Sequence, residues 1–139
     1  MFYSKYCEYT IRALSYLSVA DSNEKYTMVR EISSKTNIPY HYLSKIFQDL
    51  ACTDWVISKK GKNGGFTLAI NADDLKLIDI IKWSDGIKGL SNCLIGEGKI
   101  CERNIKCDME LKCSNLKNQI FDFFDNVTIK YVGEKMKMI

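Results

Sequence analysis

The sequence predicts a mainly α-helical fold with a small β-hairpin wing, in the order of a winged helix–turn–helix followed by a long C-terminal helix. Apolar residues recur at steps of three and four over most of the chain, which is the spacing of a buried helix face. Residues 36–39 carry a turn signal between two such stretches. Residues 60–65 form a glycine-rich tip between two short runs with strand composition. These features together are typical of a winged helix.

The first three predicted helices lie in residues 3–52. The first covers residues 3–20, where four side chains share one face: Tyr6, Ala13, Leu14 and Leu17. The second follows Thr27, a residue type that caps helix N-termini. Pro39 suits the first position of the third helix, which runs to about Cys52. The buried stripe of that third helix is predicted to consist of Leu43, Ile46, Phe47 and Leu50.

The remaining elements complete the wing and the C-terminal part. Residues 55–59 and 66–70 are predicted to pair as the two strands of the hairpin. A helix over residues 75–83 turns Leu75, Ile78 and Ile81 toward the core, and a last helix runs from about residue 115 to 131. We therefore divide the chain into a winged helix–turn–helix domain (1–85), a cysteine-bearing loop (86–114), and a long helix with a tail (115–139).

Length and composition exclude several classes of protein. The chain has 139 residues, 46% of them apolar, which suits one compact domain with its own core. No apolar run reaches the length of a membrane span, and the first residues lack the pattern of a signal peptide. We therefore expect a cytoplasmic protein without a membrane partner. An enzyme is disfavoured, because there is no phosphate-binding loop, no nucleophile–base motif and only one histidine.

The excess of positive charge lies in the first half of the chain. Residues 1–70 hold nine Lys/Arg against six Asp/Glu, whereas residues 71–139 hold eleven of each. A polyanion is therefore a plausible partner for the first half. In a helix–turn–helix the second helix lies in the major groove of DNA. The outward face of that helix carries donors and acceptors suited to bases and phosphates: Tyr40, His41, Ser44, Lys45 and Gln48.

The hairpin tip and one helix start add candidate DNA contacts. A glycine-bearing tip can enter a minor groove or follow a phosphate strand. Its candidate residues are Lys59, Lys60, Lys62, Asn63 and Gly64. Thr27, at a helix N-terminus, would offer its hydroxyl and nearby backbone amides to a phosphate. Each residue alone is equally well explained as a solvated surface side chain, but the set together favours double-stranded DNA as the partner.

Four of the six cysteines lie within 21 residues: Cys93, Cys101, Cys107 and Cys113. In a reducing compartment such a group indicates a metal or redox site rather than disulfides. The gaps of seven, five and five residues do not match the close pairs of structural zinc sites. They suit a loop around an iron–sulfur cluster, whose usual ligands are thiolates. The separate Cys7 and Cys52 are predicted to lie in the core.

Three thiolates leave one ligand position to be filled, and the sequence offers three candidates for it. Cys113 fits by residue type, and Glu110 lies three residues after Cys107. Glu8 could reach the site from the first helix, either within the fold or from a second subunit. The alternative role for Glu8 is an ion pair with Arg12, four residues further along the same helix.

Several segments resemble one known family over nearly the whole chain. They are residues 6–17 with Arg12-Ala13-Leu14, residues 38–43, the wing segment 61–69, residues 77–81 and 124–128, and the three cysteines of the late loop. In these segments the chain resembles the Rrf-type winged-helix transcription regulators, which include the IscR-like and NsrR-like iron–sulfur regulators. It departs from the family at the wing, where Lys62-Asn63 stands in place of the usual Pro-Gly.

The resemblance implies a homodimer whose long C-terminal helices pack together and whose two reading heads bind a palindromic operator. It implies that Cys93, Cys101 and Cys107 hold an iron–sulfur cluster, a four-iron cluster by preference and a two-iron cluster as the alternative. In the NsrR-like arrangement the fourth ligand would be the partner subunit's Glu8. In the IscR-like arrangement the fourth ligand is a histidine at the position of Glu110. Cys113 stays a competitor.

We therefore expect a homodimeric DNA-binding transcription regulator. Its operator affinity would be controlled by the cluster in response to redox state, nitric oxide or iron–sulfur status. One alternative is the same regulator without a cluster, with thiol oxidation as the signal. Another is a small metal-binding or electron-transfer module without DNA binding, but such a protein would have no use for the lysine-tipped wing.

Overall fold

The computed structural model describes residues 2–20, 26–91, 93 and 107–137. In this part of the chain the elements follow in the order α1 (Lys5–Val19), α2 (Val29–Thr36), α3 (Tyr40–Leu50), β1 (Val56–Lys59), β2 (Gly65–Leu68), α4 (Leu77–Ser84), α5 (Lys88–Ser91), α6 (Asp108–Asn126) and α7 (Ile129–Met136). The predicted winged helix–turn–helix with a C-terminal helix is confirmed. Within the described ranges, no helix is both long and apolar enough to span a membrane.

Helix α1 is the scaffold on which four other helices pack: α2, α3, α4 and α7. The hydroxyl of Ser4 caps its N-terminus by accepting a hydrogen bond from the amide of Cys7, and donates to Asp85 beyond α4 at 2.6 Å. Helix α7 lies close against α1, since a Cβ atom on Gly133 would collide with the carbonyl oxygen of Ser15. Glycine is therefore required where these two helices meet.

The helix–turn–helix is formed by α2, a tight turn and α3. The turn is made by Asn37, whose φ of 55° is left-handed, and by the hydroxyl of Ser33, which donates to the carbonyl of Ile38 at 2.6 Å. Pro39 occupies the N-cap position, one residue before its predicted place. The predicted stripe of α3 is confirmed, because all four of its members are fully buried: Leu43, Ile46, Phe47 and Leu50.

The wing is an antiparallel hairpin in which Val56 pairs with Leu68 and Lys59 with Gly65. It is joined to the segment before α2 by a β-bridge between Thr27 and Phe66. The ring of Phe66 also stacks on that of Phe47 in α3, with centroids 4.6 Å apart. The wing is therefore fixed to both helices of the helix–turn–helix.

The C-terminal part differs from the single helix predicted for residues 115–131. Helix α6 begins at Asp108, so residues 108–114 are helical rather than loop. It ends at Asn126, and α7 starts afresh after Thr128, whose hydroxyl accepts a hydrogen bond from the amide of Tyr131. The break has a second cause: the carbonyl of Val127 accepts from the amide of Leu77 at 2.9 Å. That contact draws the backbone out of helical geometry.

Candidate nucleic-acid interface and cysteine site

The solvent side of α3 carries the side chains predicted to read DNA. Tyr40, His41 and Lys45 are exposed and Ser44 is half-buried, opposite the buried stripe of the helix. This is the arrangement that a recognition helix needs, since one face holds the core and the other remains available to a groove. The roles of the individual residues stay predictions.

The wing presents the predicted cations at its surface. Lys59, Lys60, Lys62 and Asn63 are all exposed, and Asn63 adopts a left-handed φ of 61° at the turn. The ammonium group of Lys59 lies 5.6 Å from the ring centroid of Tyr26, in a cation–π contact. One cation of the wing is thus held against the segment that leads into α2.

Gly64, also predicted to contact DNA, lies inside the hairpin, and its contact with DNA stays a prediction. It is buried, its amide donates to the carbonyl of Gly61 at 3.0 Å, and a Cβ atom there would collide with the carbonyl of Lys59. Its role is to let the turn close, because only glycine fits so near the opposing backbone.

The prediction that Thr27 caps α2 is wrong. The residue is not the N-cap of α2, a position held by Met28, and it is only 4% exposed. Its amide donates to the carbonyl of Phe66 at 2.9 Å, and its carbonyl accepts from the amide of Phe66 at 2.8 Å. This strand-like pairing engages the amide of Thr27 and holds the residue beside the wing. Its contact with a phosphate stays a prediction.

A contact that the sequence analysis missed joins the two helices of the helix–turn–helix. The guanidinium of Arg30, in the first turn of α2, lies 5.4 Å from the ring centroid of Tyr40, the first residue of α3. These two residues line a surface cleft together with Ser33 and Ser34. The available signal was an arginine at the start of the helix preceding the turn, but the sequence does not show which ring it meets.

The cysteines of the predicted cluster site are only partly described. Cys93 is half-buried, Cys107 is the exposed N-cap residue of α6, and Cys101 lies outside the described residues. Among residues 2–20, 26–91, 93 and 107–137, no three His, Cys, Asp or Glu side chains come together as a metal site. The ligand set therefore stays a prediction.

Helix α6 sets the relation between Cys107 and the two candidate ligands that follow it. In an α-helix, two residues that are six positions apart lie about 9 Å apart along the axis and more than a quarter turn apart around it. Cys113 thus lies away from Cys107, at a half-buried position on the helix. Glu110 is exposed and only one turn on, and its amide donates to the carbonyl of Cys107 at 2.9 Å. Of the two, Glu110 is the better placed to act together with Cys107.

Glu8 makes the ion pair that the sequence offered as its alternative role. Its carboxylate lies 3.7 Å from Arg12 and 2.9 Å from Lys5, with 35% of the side chain exposed. Arg12 in turn donates to the carbonyl of Thr36, the last residue of α2. Glu8 is therefore connected through the side chain of Arg12 to the turn of the helix–turn–helix.

The two remaining cysteines differ from each other. Cys7 is fully buried as predicted, and burial raises the pKa of its thiol to about 11, with a hydrogen bond from Ser84 acting in the opposite direction. Cys52 is exposed just after the end of α3, so its assignment to the core is wrong. Helix α3 ends before it, and the thiol turns outward to within 3.8 Å of the carbonyl of Gln48.

Comparison with known proteins agrees with this architecture. The profile of the family described as "Rrf2: Iron-dependent Transcriptional regulator" matches residues 3–135. A putative HTH-type transcriptional regulator of Aquifex aeolicus is 34% identical over 94% of this chain and 90% of its own length. The HTH-type transcriptional regulator NsrR of Geobacillus kaustophilus is 29% identical over 70% of this chain and 66% of its own length.

A solved structure with low sequence identity to this chain has the same fold. The structure of CymR (YrzC), the global cysteine regulator of B. subtilis, superposes with a TM-score of 0.77 at 20% identity, covering 97% of this chain and 98% of that one. Both proteins share the same winged helix–turn–helix. With the family profile matched along almost the entire sequence, this chain belongs to the Rrf2 family of transcription regulators.

Proposed function

We propose that this protein is a homodimeric DNA-binding regulator whose affinity for a palindromic operator depends on an iron–sulfur cluster, and that it acts in the cytoplasm. The observation that carries the DNA-binding part is the exposed polar face of α3 beside a lysine-bearing wing, with Phe47 and Phe66 stacked between them. A rigid connection of this kind holds the recognition helix and the wing at one spacing, as groove binding requires.

The dimer is supported by a partly exposed apolar stripe along α6. Apolar residues recur along it at steps of four and three: Met109, Cys113, Leu116, Ile120 and Phe123. Leu116 is 47% and Phe123 58% exposed, although both are large apolar side chains. Such a stripe on a 19-residue helix matches the seam of a helix pair, and a two-fold axis would bring the same stripe of a second copy against it.

The residues that would hold the cluster are Cys93, Cys101 and Cys107. Their thiols form the donor set that iron–sulfur clusters use, and the two described members are both accessible at the surface. The buried Cys7, whose thiol resists ionisation, is unsuited to join them. When bound, such a group supplies a centre that reacts with oxidants or nitric oxide; a four-iron cluster is the first choice and a two-iron cluster the second.

For the fourth ligand we favour Glu8 of the partner subunit. Its carboxylate is accessible and ionic partners hold it in place. Cys113 is the weaker candidate, because it lies on the proposed dimer stripe and away from Cys107 along α6. Glu110 is the candidate within the same protomer.

Arg12 provides the contact by which the state of Glu8 would reach the DNA interface. It lies between the Glu8 carboxylate and the carbonyl of Thr36, next to the turn that sets the angle between α2 and α3. A change in the pairing of the Glu8 oxygen that faces Arg12 would therefore alter the hydrogen bonding at that turn. Two reading heads must meet half-sites at a fixed separation, so a small rotation of either changes operator affinity.

Two measurements test this proposal. The protein is purified without oxygen, and its iron, sulfide and visible spectrum are determined; a colourless, iron-free protein would defeat the cluster. Duplexes selected from a random pool by the purified protein then serve to compare DNA affinity with and without the cluster at one salt concentration. Equal affinity of the two forms would remove the regulatory role while leaving DNA binding intact.

A second candidate is the same regulator without a cluster, in which thiol oxidation is the signal. It is favoured by two exposed thiols, Cys107 at the start of α6 and Cys52 just after the recognition helix. It predicts a colourless protein whose DNA affinity changes with peroxide and is restored by a thiol reductant. Membership of a family of transcription regulators disfavours the alternative of an electron-transfer module without DNA binding.

A further inference from the structure

The cleft between α2 and α3 contains an arginine that stacks on a tyrosine ring and whose guanidinium donates no hydrogen bond to the residues that the structure describes. Arg30 is exposed and its guanidinium lies over the ring of Tyr40 at 5.4 Å, while Tyr40 itself is 47% exposed. Within the described ranges Arg30 makes no ion pair with any carboxylate. The ring contact orders the planar group without occupying its N–H donors.

The other side chains of the cleft are hydroxyl-bearing. The hydroxyl of Ser33 donates to the carbonyl of Ile38, so that residue shapes the turn. Ser34 is exposed and lines the same cleft as Arg30 and Tyr40. The cleft thus offers one guanidinium and the hydroxyls of Ser34 and Tyr40 to a ligand, which is the donor set that binds a phosphate group.

We infer that this cleft clamps a backbone phosphate of DNA, with Arg30 as the bidentate donor and Tyr40 as the residue that orients it. The inference rests on the proposed DNA binding and names one of its contacts. Arg30 lies in the first turn of α2, and the first helix of a helix–turn–helix crosses the DNA backbone. It follows Thr27 by three residues, and the bridge from Thr27 to Phe66 fixes this start of α2 relative to the wing.

The clamp would position the recognition helix without reading sequence. A phosphate contact fixes register and orientation, whereas base edges carry the sequence information. Since Tyr40 begins α3, a phosphate held by Arg30 would set the depth at which the first turn of α3 enters the groove. Through Arg30 and Tyr40, a contact with the DNA backbone would therefore also set the placement of His41 and Ser44.

The test compares Arg30→Gln with Lys135→Gln on a mixed-sequence duplex over a series of salt concentrations. Lys135 is the matched control, because its ammonium also lies over a tyrosine ring, that of Tyr131 at 5.4 Å, but on α7. Arg30→Gln is expected to weaken binding several-fold and to reduce the slope of log affinity against log salt by about one. Lys135→Gln is expected to leave both unchanged.

Two further variants separate the ring from the charge. Tyr40→Phe keeps the stacked ring and is expected to keep the salt slope, whereas Tyr40→Ala is expected to weaken binding by as much as Arg30→Gln. Arg30→Lys keeps the charge but not the fork, so it should preserve the slope and lose affinity. Thermal unfolding of each variant, matched to that of the unmodified protein, confirms that the fold is intact.

An unchanged salt slope in Arg30→Gln, with DNA binding otherwise present, would overturn the clamp alone. Absence of DNA binding by the unmodified protein would instead overturn the proposed function. Inorganic phosphate titrated into DNA-free protein distinguishes the source of the phosphate. Saturable phosphate binding that Arg30→Gln abolishes, together with an unchanged DNA slope, would assign the cleft to a free phosphoester and overturn the contact with DNA.

Discussion

Tyr6 on α1 donates a hydrogen bond of 2.6 Å to the carboxylate of Asp49 on the recognition helix. The bond crosses from the scaffold helix to the penultimate residue of α3. The pKa of the Tyr6 hydroxyl is raised above its usual range, mainly because the group is partly buried and secondly because it donates to Asp49. The contact orients α3 on α1 at the end opposite to the first turn of α3, which is proposed to meet DNA.

Tyr6→Phe is expected to lower the free energy of unfolding by about 1–2 kcal/mol, because it removes a half-buried hydrogen bond to a charged acceptor. Urea unfolding at neutral pH measures the change. Tyr16→Phe is the control, since its hydroxyl meets Glu31 at the longer distance of 3.4 Å. An equal loss of unfolding free energy in both variants would mean that the hydrogen bond to Asp49 stabilises the fold no more than the longer contact with Glu31 does.

Stability is expected to fall as the pH rises from about 9 to about 11. In the unfolded chain the thiol of Cys7 loses its proton near its ordinary pKa of 9.0, whereas in the folded protein that pKa is about 11. The folded state therefore retains a proton that the unfolded state has lost. Stability is complete below the unfolded pKa and decreases through this window, by on the order of 2 kcal/mol.

Cys7→Ala removes this thiol and isolates its share of the pH dependence. The difference in unfolding free energy between the variant and the unmodified protein should narrow from pH 8.5 to pH 11 (roughly the window set by the two pKa values). Cys52→Ala, which changes an exposed thiol, is the matched control. A constant difference between the Cys7→Ala variant and the unmodified protein across this range would contradict the expectation.

Gly65→Ala is expected to destabilise the wing severely. Gly65 has φ of 139°, and a Cβ atom there would collide with the carbonyl of Thr27 across the β-bridge. The cost should be at least about 2–3 kcal/mol, since both backbone strain and a clash contribute. Gly61→Ala provides the control: its φ of 91° is also strained, but the space around it is open, so only about 1 kcal/mol is expected. Thermal unfolding compares the two variants.

Leu116→Glu is expected to convert the dimer to a monomer. It places a charge in the apolar stripe of α6, where a second copy would bury it without a partner. Asn118→Glu adds the same charge to the same helix at an exposed polar position off the stripe, and should leave the dimer intact. Analytical ultracentrifugation at micromolar concentration distinguishes the states; a dimeric Leu116→Glu protein would show that this stripe is not the interface.

Cysteine variants are expected to divide into two groups by iron content. Cys93→Ser, Cys101→Ser and Cys107→Ser should lose iron, whereas Cys52→Ser and Cys113→Ser should retain it. Glu8→Ala should keep the three thiolates but lose cluster stability toward oxygen. Iron retained at the level of the unmodified protein in Cys107→Ser would contradict the ligand set, and iron lost in Cys113→Ser would make that thiol the fourth ligand.

Periodicity alone predicted the parts of the fold that depend on local sequence. The stripe of α3 follows from apolar spacing, and all of Leu43, Ile46, Phe47 and Leu50 are buried. Thr27 was wrongly assigned as the N-cap of α2, because it pairs with Phe66, far along the chain, and a nonlocal β-bridge leaves no local pattern. The break before α7 was missed because Val127 continues the apolar spacing, while the hydroxyl of Thr128 caps a new helix.

The candidate site was predictable to a smaller extent. Residue type and helical position were enough to place Tyr40, His41 and Lys45 on the solvent side of α3. The pairing of Arg30 with Tyr40 was not predictable, because it spans the turn between two helices and depends on their packing. Cysteine spacing gave candidate ligands, but the fourth ligand depends on contacts between segments that spacing does not encode.

The two oxygens of the Glu8 carboxylate are divided between two cations with different connections. Oε2 meets Lys5, which lies on the surface at the start of α1, and Oε1 faces Arg12, which also donates to the carbonyl of Thr36. An electrophile that binds Oε2 displaces only the solvated ammonium group of Lys5, so the contact of Arg12 at the turn is unchanged. One that takes Oε1 releases the guanidinium and leaves the carbonyl at the end of α2 as its remaining acceptor. Under the proposed function, the oxygen that is occupied would therefore determine whether a binding event at α1 reaches the helix–turn–helix or remains local.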